Sequence, residues 1–388
     1  MFSSLSKTLL RRPLFLNAAL RLSSAAAAAA GSSRPSFAVS YLVNSCGLSP
    51  ELALSISNSN RVAFETSARP DAVIDVFKNH GFSQSQISNI IGRGPRLLMA
   101  SPEKTLLPKL KYLRSVGFSG SDLANLITGF PYLLTRSLEK HLIPNFGRLR
   151  DFLRSDKNAV AAIRRSPRIL VKGFETTVDP FVKVLRDNGV RESSIVWLVQ
   201  CHSRRMINWY DQLEEIMEKT KRMGFDDPSA ANFAVAMLAV MGMSKSVWER
   251  KFNAYGRWGW SRDDAMSAFV NCPRCMTMSE EKITAVMGFF VNEMGLEASY
   301  LMQHPRLIPL SLEKRIRPRC LVFKHLLSNG LMKKKVAFTT LLSMSDEHFL
   351  AKFVTSHIGE APELLDIYQE KKHMEMGTLV PEIAHSAK

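Results

Sequence analysis

Three segments of the chain align without gaps at a spacing of 36 residues: Pro95-Arg96-Leu97-Leu98, Pro131-Tyr132-Leu133-Leu134 and Pro167-Arg168-Ile169-Leu170. A fixed period of this length points to a stacked array, in which each unit buries its apolar face only against its neighbours. Each segment has a second proline 13 residues further on, at Pro108, Pro144 and Pro180. Carried backward, the frame reaches Ser59. Carried forward, it reaches Ser203-Arg204-Arg205-Met206 and then the neighbourhood of Ala239, two corners without proline. The proline returns, at shorter spacing, in Cys272-Pro273-Arg274-Cys275 and His304-Pro305-Arg306-Leu307-Ile308.

A second signal follows six residues after the proline. It reads Ser101-Pro102-Glu103-Lys104, Ser137-Leu138-Glu139-Lys140, Ser279-Glu280-Glu281-Lys282 and Ser311-Leu312-Glu313-Lys314. A serine hydroxyl accepts from the free amides of a first helical turn. A glutamate two residues later sits where the helix dipole favours an anion, and proline is tolerated at the first helical position. Some 16 residues further come Gly117-Phe118, Gly189-Val190, Gly224-Phe225 and Gly295-Leu296, where glycine can take the left-handed conformation that ends a helix. A shorter helix with its own polar start follows, as in Ser121-Asp122-Leu123, and runs into the next proline, which disfavours helix in the residue before it.

The expected unit is therefore a long helix, a glycine turn, a shorter helix and a 3₁₀-like proline corner. The second proline should kink the long helix, because an amide is lost and the ring clashes with the preceding turn. The fold class expected is all-α: a right-handed-type helical-repeat solenoid, a curved superhelix of about eight two-helix-plus-3₁₀ units over residues 40–360.

Composition bears on partners and destination. Lys plus Arg is 52 against 35 Asp plus Glu, a net charge of +17, which calls for a polyanionic partner, nucleic acid or an anionic membrane surface. No apolar run reaches the roughly 18 residues needed to cross a bilayer, so no membrane insertion is expected. The first acidic residue is Glu51. The segment before it carries Lys7, Arg11, Arg12, Arg21 and Arg34, many serines and the Ala25 to Ala30 tract. Arginine and serine without acids read as an organelle transit peptide over residues 1–36; the alternative is a disordered basic tail. The run Arg21-Leu22-Ser23-Ser24 suits a mitochondrial presequence better than a plastid one. Without residues 1–36, 47 basic residues still face 35 acidic ones. Residues 371–388 are expected to form a flexible tail. Five scattered cysteines, Cys46, Cys201, Cys272, Cys275 and Cys320, argue against a disulfide framework.

Proline, two or three aliphatics, Ser-x-Glu-Lys, a second proline and Gly-Phe at this period resemble the mitochondrial transcription termination factor (mTERF) family, in its plant branch. The resemblance covers residues 40–360 and departs from the pattern near Ser203 and Ala239. It implies a half-ring superhelix of helical repeats that binds nucleic acid along a basic groove in an organelle, in this family double-stranded DNA, and terminates or regulates transcription. Plant members also serve organellar RNA processing, including intron splicing. Pentatricopeptide repeats have a close period but lack both the proline corner and the Ser-x-Glu-Lys offset.

Arginine sits at or near most corners: Arg96, Arg136, Arg168, Arg204, Arg274 and Arg306, with Arg164, Arg165, Arg315 and Arg317 as further basic clusters. One cation per unit can follow a phosphate backbone; the competing reading of any one arginine is a helix cap or a solvated face. Trp209 and Tyr210 interrupt the usual serine cap and are the candidates for base stacking. Cys272 and Cys275 have half the spacing of a zinc site, with no second pair, so no metal and no cofactor are expected. No catalytic constellation is legible, and none is expected. Three functions stay open: a monomeric DNA-binding regulator of transcription in the mitochondrion (or the chloroplast), an RNA-binding factor for intron splicing, and a protein-interaction solenoid.

Overall fold

The computed structural model describes residues 36–59, 62–332 and 336–373. The transit-peptide segment lies outside these residues except for Ser36, whose hydroxyl accepts from the amide of Val39 and caps helix Phe37–Asn44. The expected tail lies outside them too, except that helix Leu364–His373 runs through residues 371–373. The chain divides into two compact units, Met1–Leu138 and Glu139–Lys388. Among the described residues every regular element is helical, so the fold is an all-α helical repeat.

The glycine turns mark the repeat most sharply. Apart from Gly173, which lies between a corner and the helix after it, positive φ among the described residues occurs at Gly47, Gly81, Gly117, Arg154, Gly189, Gly224, Gly259, Gly295 and Gly330. These nine turns, 34 to 37 residues apart, enclose eight intervals, in agreement with the expected number of units. Arg154, at φ 53°, stands where the period calls for glycine, and among the described residues no other non-glycine has positive φ. Left-handed backbone costs a β-carbon-bearing residue about 1 kcal/mol. Arg154→Gly should therefore leave stability unchanged or raise it slightly, the added freedom of the unfolded glycine offsetting part of the relief. Gly81→Ala, with φ at +83°, should lose about 1 kcal/mol. Urea denaturation of the two variants checks the pair; equal effects would mean that the turn is not strained at Arg154.

The serine caps form as their sequence requires. Ser101 accepts from the amide of Lys104, Ser279 from Lys282 and Ser311 from Lys314, at 3.2–3.4 Å. Corners Pro95–Met99, Pro131–Thr135 and Pro305–Leu307 are 3₁₀ turns, whereas Arg168–Lys172 and Arg274–Thr277 close as single α-turns. Their aliphatic positions are the centre of each layer: Leu98 and Leu134 are fully buried and Leu170 nearly so. Burial of each such side chain contributes about 2–3 kcal/mol.

The second proline of the unit acts through the turn before it. π-helical turns occupy Pro102–Leu106, Leu138–Leu142 and Leu312–Ile316, directly ahead of the helices holding Pro108, Pro144 and Pro318. The amide of Leu107 donates to the carbonyl of Pro102, and that of Arg317 to Leu312, five residues back in both cases. In an α-turn the ring of Pro108 would crowd the carbonyl four residues earlier, and no amide would satisfy that carbonyl. Widening the turn by one residue relieves the clash, so the expected kink takes the form of a π-turn. In the next repeat the same strain appears as a break at Val178 between Phe174–Thr177 and Asp179–Asp187.

The two corners without proline behave differently. Helix Glu192–Trp209 runs straight through Ser203 to Met206, and Ala231–Gly242 runs through Ala239. With an amide at every position, nothing breaks the hydrogen-bond ladder there. Successive second helices stack within each unit: Gln84–Arg93 packs on Gly120–Gly129, Asp156–Arg165 on Glu192–Trp209, and Glu192–Trp209 on Ala231–Gly242.

Candidate nucleic-acid interface

Cations in this fold divide into those the repeats use internally and those left outward. Internal ones follow a recurring geometry, in which a polar group of the long helix reaches the carbonyls of the following corner. Lys109, just after Pro108, donates to the Leu134 carbonyl at 2.5 Å. Asn145, just after Pro144, donates to Leu170 at 3.2 Å. Lys251 donates to Met278, Lys282 to Pro309 at 2.8 Å, and Arg319, just after Pro318, to Leu341 and Met344 at 3.0 and 2.8 Å. The corner carbonyls need these donors because a short turn leaves them without intrahelical partners. Arg319 is wholly buried, pairs with Asp346 at 2.6 Å and lies over the Phe349 ring.

Two of the arginines singled out from the sequence belong to this internal class. Arg315 donates from Nε to the Leu342 carbonyl at 2.7 Å and from Nη2 to Met344 at 2.5 Å. Arg317 forms a bidentate pair with Glu293, a second contact to Glu313 and a cation–π contact with Phe289 at 4.7 Å. The Arg317 guanidinium is thereby held by two carboxylates and a ring of the fold itself.

The corner arginines stand apart. Arg96, Arg136, Arg204, Arg274 and Arg306 are exposed, and their guanidinium groups make no hydrogen bond or ion pair among the described residues. At Arg96, Arg274 and Arg306 the preceding proline and the following residue are buried, so the arginine between them is directed to solvent. Arg168 is exposed and donates to the Asn208 side chain at 3.1 Å, with its remaining donors outward. Arg165 is exposed and bonds one carbonyl of its own helix, that of Ala161, at 3.1 Å. Arg164 is exposed beside it at the end of Asp156–Arg165 and has partners of its own.

In the second unit the charges of several of these cations act on one histidine. Ser203 is buried with its hydroxyl 3.5 Å from the Ala162 carbonyl, which ties the unbroken helix to the one ending at Arg165. Arg205 lies over Gly242: a β-carbon there would stand 3.3 Å from its Nη1. Helix Ala231–Gly242 in turn packs on Arg274–Thr277. His202, half-buried and edge-on to Trp197 at 4.7 Å, sits among these groups. Burial, then the charges of Arg205, Arg165 and Arg274, hold its imidazole below the usual histidine range. Further along, Arg306 and Arg274 both act on the Cys272 thiol, although burial dominates and raises it. The period placed Arg204 in register with Arg96 and Arg168, but the structure brings its neighbour Arg205 into this group. The missing proline was the signal: an uninterrupted helix turns about 100° per residue and changes which of two adjacent arginines faces the next repeat.

The remaining candidates separate by exposure. Tyr210 is 42% exposed and Tyr132 55%, while Trp209 is half-buried at the end of its helix. Trp260 is core, stacked on Tyr255 at 4.6 Å with its Nε1 donating to the Ala298 carbonyl. Cys275 is buried, its thiol pushed up to about 12 by burial, and its carbonyl accepts from Tyr255 Oη. Among the described residues no group of three or more His, Cys, Asp or Glu side chains is arranged to hold a metal ion, and no single helix is long and apolar enough to cross a membrane.

Stacked helix pairs with capped long helices, left-handed turns and outward corner arginines define an all-α helical-repeat protein whose corners present cations to solvent. The chain belongs to the mTERF family: the model of that family matches residues 74–233 and 221–350, more than half of its length. No curated protein matches it. The family comprises organellar nucleic-acid-binding repeat proteins with transcription-related roles, generally without enzymatic activity, and membership assigns this chain that general role.

Proposed function

We propose that this protein, as a monomer in the mitochondrion, binds double-stranded DNA through its phosphate backbone and thereby regulates or terminates transcription. One observation carries the reading: the corner arginines Arg96, Arg136, Arg204, Arg274 and Arg306 recur with the repeat, are exposed and make no bond to an acidic side chain among the described residues. Cations that cap or brace a fold end on carbonyls or carboxylates, as Arg315 and Arg317 do. Cations left without such partners suit an external polyanion, whose bound counterions they displace. Arg164, Arg165 and Arg168 extend the same basic surface.

A second reading, an RNA-binding factor for intron splicing, draws on Tyr132 and Tyr210, both exposed and close in sequence to corner arginines. Aromatic faces of this kind stack unpaired bases. Titration of the protein with a duplex DNA and a single-stranded RNA over about 50–300 mM salt tests both. The expected result is tighter duplex binding, with affinity falling steeply as salt rises. Affinity for both nucleic acids that is flat with salt would leave the protein-interaction reading. Crosslinking in isolated organelles should recover DNA; recovery of mainly intron RNA would select the second reading.

A further inference from the structure

We propose that Cys272 and Cys275 are a thiol–disulfide couple, oxidised by an anionic low-molecular-weight disulfide, that clamps the Pro273 corner. The couple is independent of nucleic-acid binding, although it flanks the corner arginine Arg274. It arises from the geometry of the repeat itself. In five proline corners the amide of the fourth residue donates to the carbonyl of the first: Leu97 to Gly94 at 2.9 Å, Leu133 to Phe130 at 3.1 Å, Ile169 to Ser166 at 3.2 Å, Cys275 to Cys272 at 3.0 Å and Leu307 to His304 at 3.1 Å. A turn closed in this way holds its first and fourth Cα atoms within about 7 Å, and a disulfide spans about 4.4–6.8 Å between Cα atoms. Of the five, the corner at Pro273 carries a thiol at both ends.

Both ends of this turn are anchored, and the two thiols differ in access. The Cys272 amide donates to the Ala268 carbonyl at 2.8 Å, where helix Arg262–Asn271 ends. The Cys275 carbonyl accepts from Oη of the buried Tyr255 at 2.9 Å. Cys272 is half-buried and Cys275 has no exposed surface, so Cys272 meets a reagent first and Cys275 resolves it. The amides of Arg274 and Cys275 act as donors to the Cys272 sulfur, where a developing thiolate needs them. Cys46 and Cys320 are buried, and Cys201, half-buried, has no second cysteine three or four residues away.

Charge selects the reagent. The next corner, Pro305–Leu307, packs on Arg274–Thr277, and Arg274 and Arg306 are exposed without a bond among the described residues. An anionic disulfide such as oxidised glutathione is drawn to such a pair. Cys272, as thiolate, attacks one sulfur of the reagent; the reagent's S–S bond breaks, one half leaves as a thiolate and the other stays joined to Cys272. Cys275 then gives its proton to solvent, its sulfur attacks that of Cys272, and the second half leaves. Two protein thiols are oxidised, and one reagent disulfide is reduced to two thiols that take their protons from solvent. Burial holds the Cys272 thiol up, so its thiolate is a minor form and the exchange takes minutes to hours. Burial pushes Cys275 up to about 12 and makes it a poor leaving group, so the disulfide, once formed, is reduced slowly.

Trypsin cuts after Arg274, between the two cysteines, and so reads the couple directly. The full chain, equilibrated with oxidised and reduced glutathione, alkylated and digested, should yield the Cys272 and Cys275 peptides joined by a disulfide. Their joined fraction should fall with the square of the reduced glutathione concentration, while Cys201 forms a mixed disulfide at most. In Cys275→Val, an aliphatic residue in a slot that other corners fill with leucine or isoleucine, the Cys272 peptide should keep one glutathione. In Cys272→Ser, Cys275 should stay unmodified. Arg306→Gln should slow the reaction with oxidised glutathione about threefold and leave that with the neutral 2-hydroxyethyl disulfide unchanged. The oxidised parent should denature at higher urea than the reduced parent, and Cys275→Val should show no such shift. Cysteines 272 and 275 found alkylated on separate peptides under every ratio would overturn the couple. Equal slowing of both reagents by Arg306→Gln, or no slowing of either, would overturn the anionic class, and equal urea midpoints for the oxidised and reduced parent would overturn the clamp.

Discussion

Alanine at Arg96, Arg168 and Arg274 together is expected to weaken duplex DNA binding by about 10²- to 10³-fold near 0.1 M salt. Each lost phosphate contact removes about 0.9 from the slope of log affinity against log salt for B-form DNA. Three contacts thus lower the slope by about 3, and at tenfold below 1 M salt the same exponent gives the loss in affinity. All three side chains are exposed. Arg96 and Arg274 have no internal bond among the described residues, and Arg168 has one, to Asn208 at 3.1 Å. Exposed substitutions of this kind change stability by only about 0.5 kcal/mol each, so the melting curve should stay nearly in place while the binding isotherm moves. Asn208→Ala provides the finer comparison: it releases Arg168 without removing its charge and should cost far less affinity. A triple variant that binds as tightly as the parent, with an unchanged salt slope, would show that these arginines serve the ends of their turns and not a ligand.

The largest effect on folding is expected at Leu98. It lies in the Pro95–Met99 corner of the first unit and has no exposed surface. Leu98→Ala should cost about 3 kcal/mol, the transfer free energy of the lost methyl groups plus the cavity left behind. Leu98→Asp should cost well over that, because a carboxylate enters a site with no donors arranged for it. In a stacked array each repeat is held by its neighbours, so the damage should spread to the adjacent layers built on Gln84–Arg93 and Gly120–Gly129. Burial raises the folded-state pKa of the new carboxyl above its unfolded value, and the unfolded chain therefore ionises first as pH rises. The deficit should be smallest below about pH 4 and grow as pH climbs through the unfolded value near 4. Denaturant curves at pH 4 and pH 7 check the sign; an Asp variant as stable as the parent at pH 7 would place residue 98 outside the core.

Lys109, Lys251, Lys282, Arg315 and Arg319 contribute to the chain's positive charge, yet all end on carbonyls of the following corner. Lys109 and Arg319 each directly follow the second proline of their repeat, much as Arg96 and Arg306 follow the first, so position in the repeat alone does not distinguish a brace from a ligand contact. The sequence-level candidates Arg315 and Arg317 illustrate this, since both are fastened within the second unit. Arg205 is the opposite case, an arginine outside the candidate set that the structure places against Gly242 and beside His202.

What the sequence determined by itself was everything that depends on a few neighbouring residues. Ser-x-Glu-Lys starts a helix because its hydroxyl and carboxylate act within one turn. Glycine ends one because a β-carbon opposes positive φ, and proline breaks one because it lacks an amide. The period, the all-α class and the family follow from those local rules repeated along the chain. The tertiary structure alone decided how the proline strain is relieved, as a π-turn or as a break at Val178, and which cations remain outward. Both depend on the angle at which one repeat settles on the next, because that angle sets whether a lysine or arginine ends within reach of a corner carbonyl or in water. Local sequence does not encode that angle; the packing of buried leucines such as Leu98, Leu134 and Leu170 does.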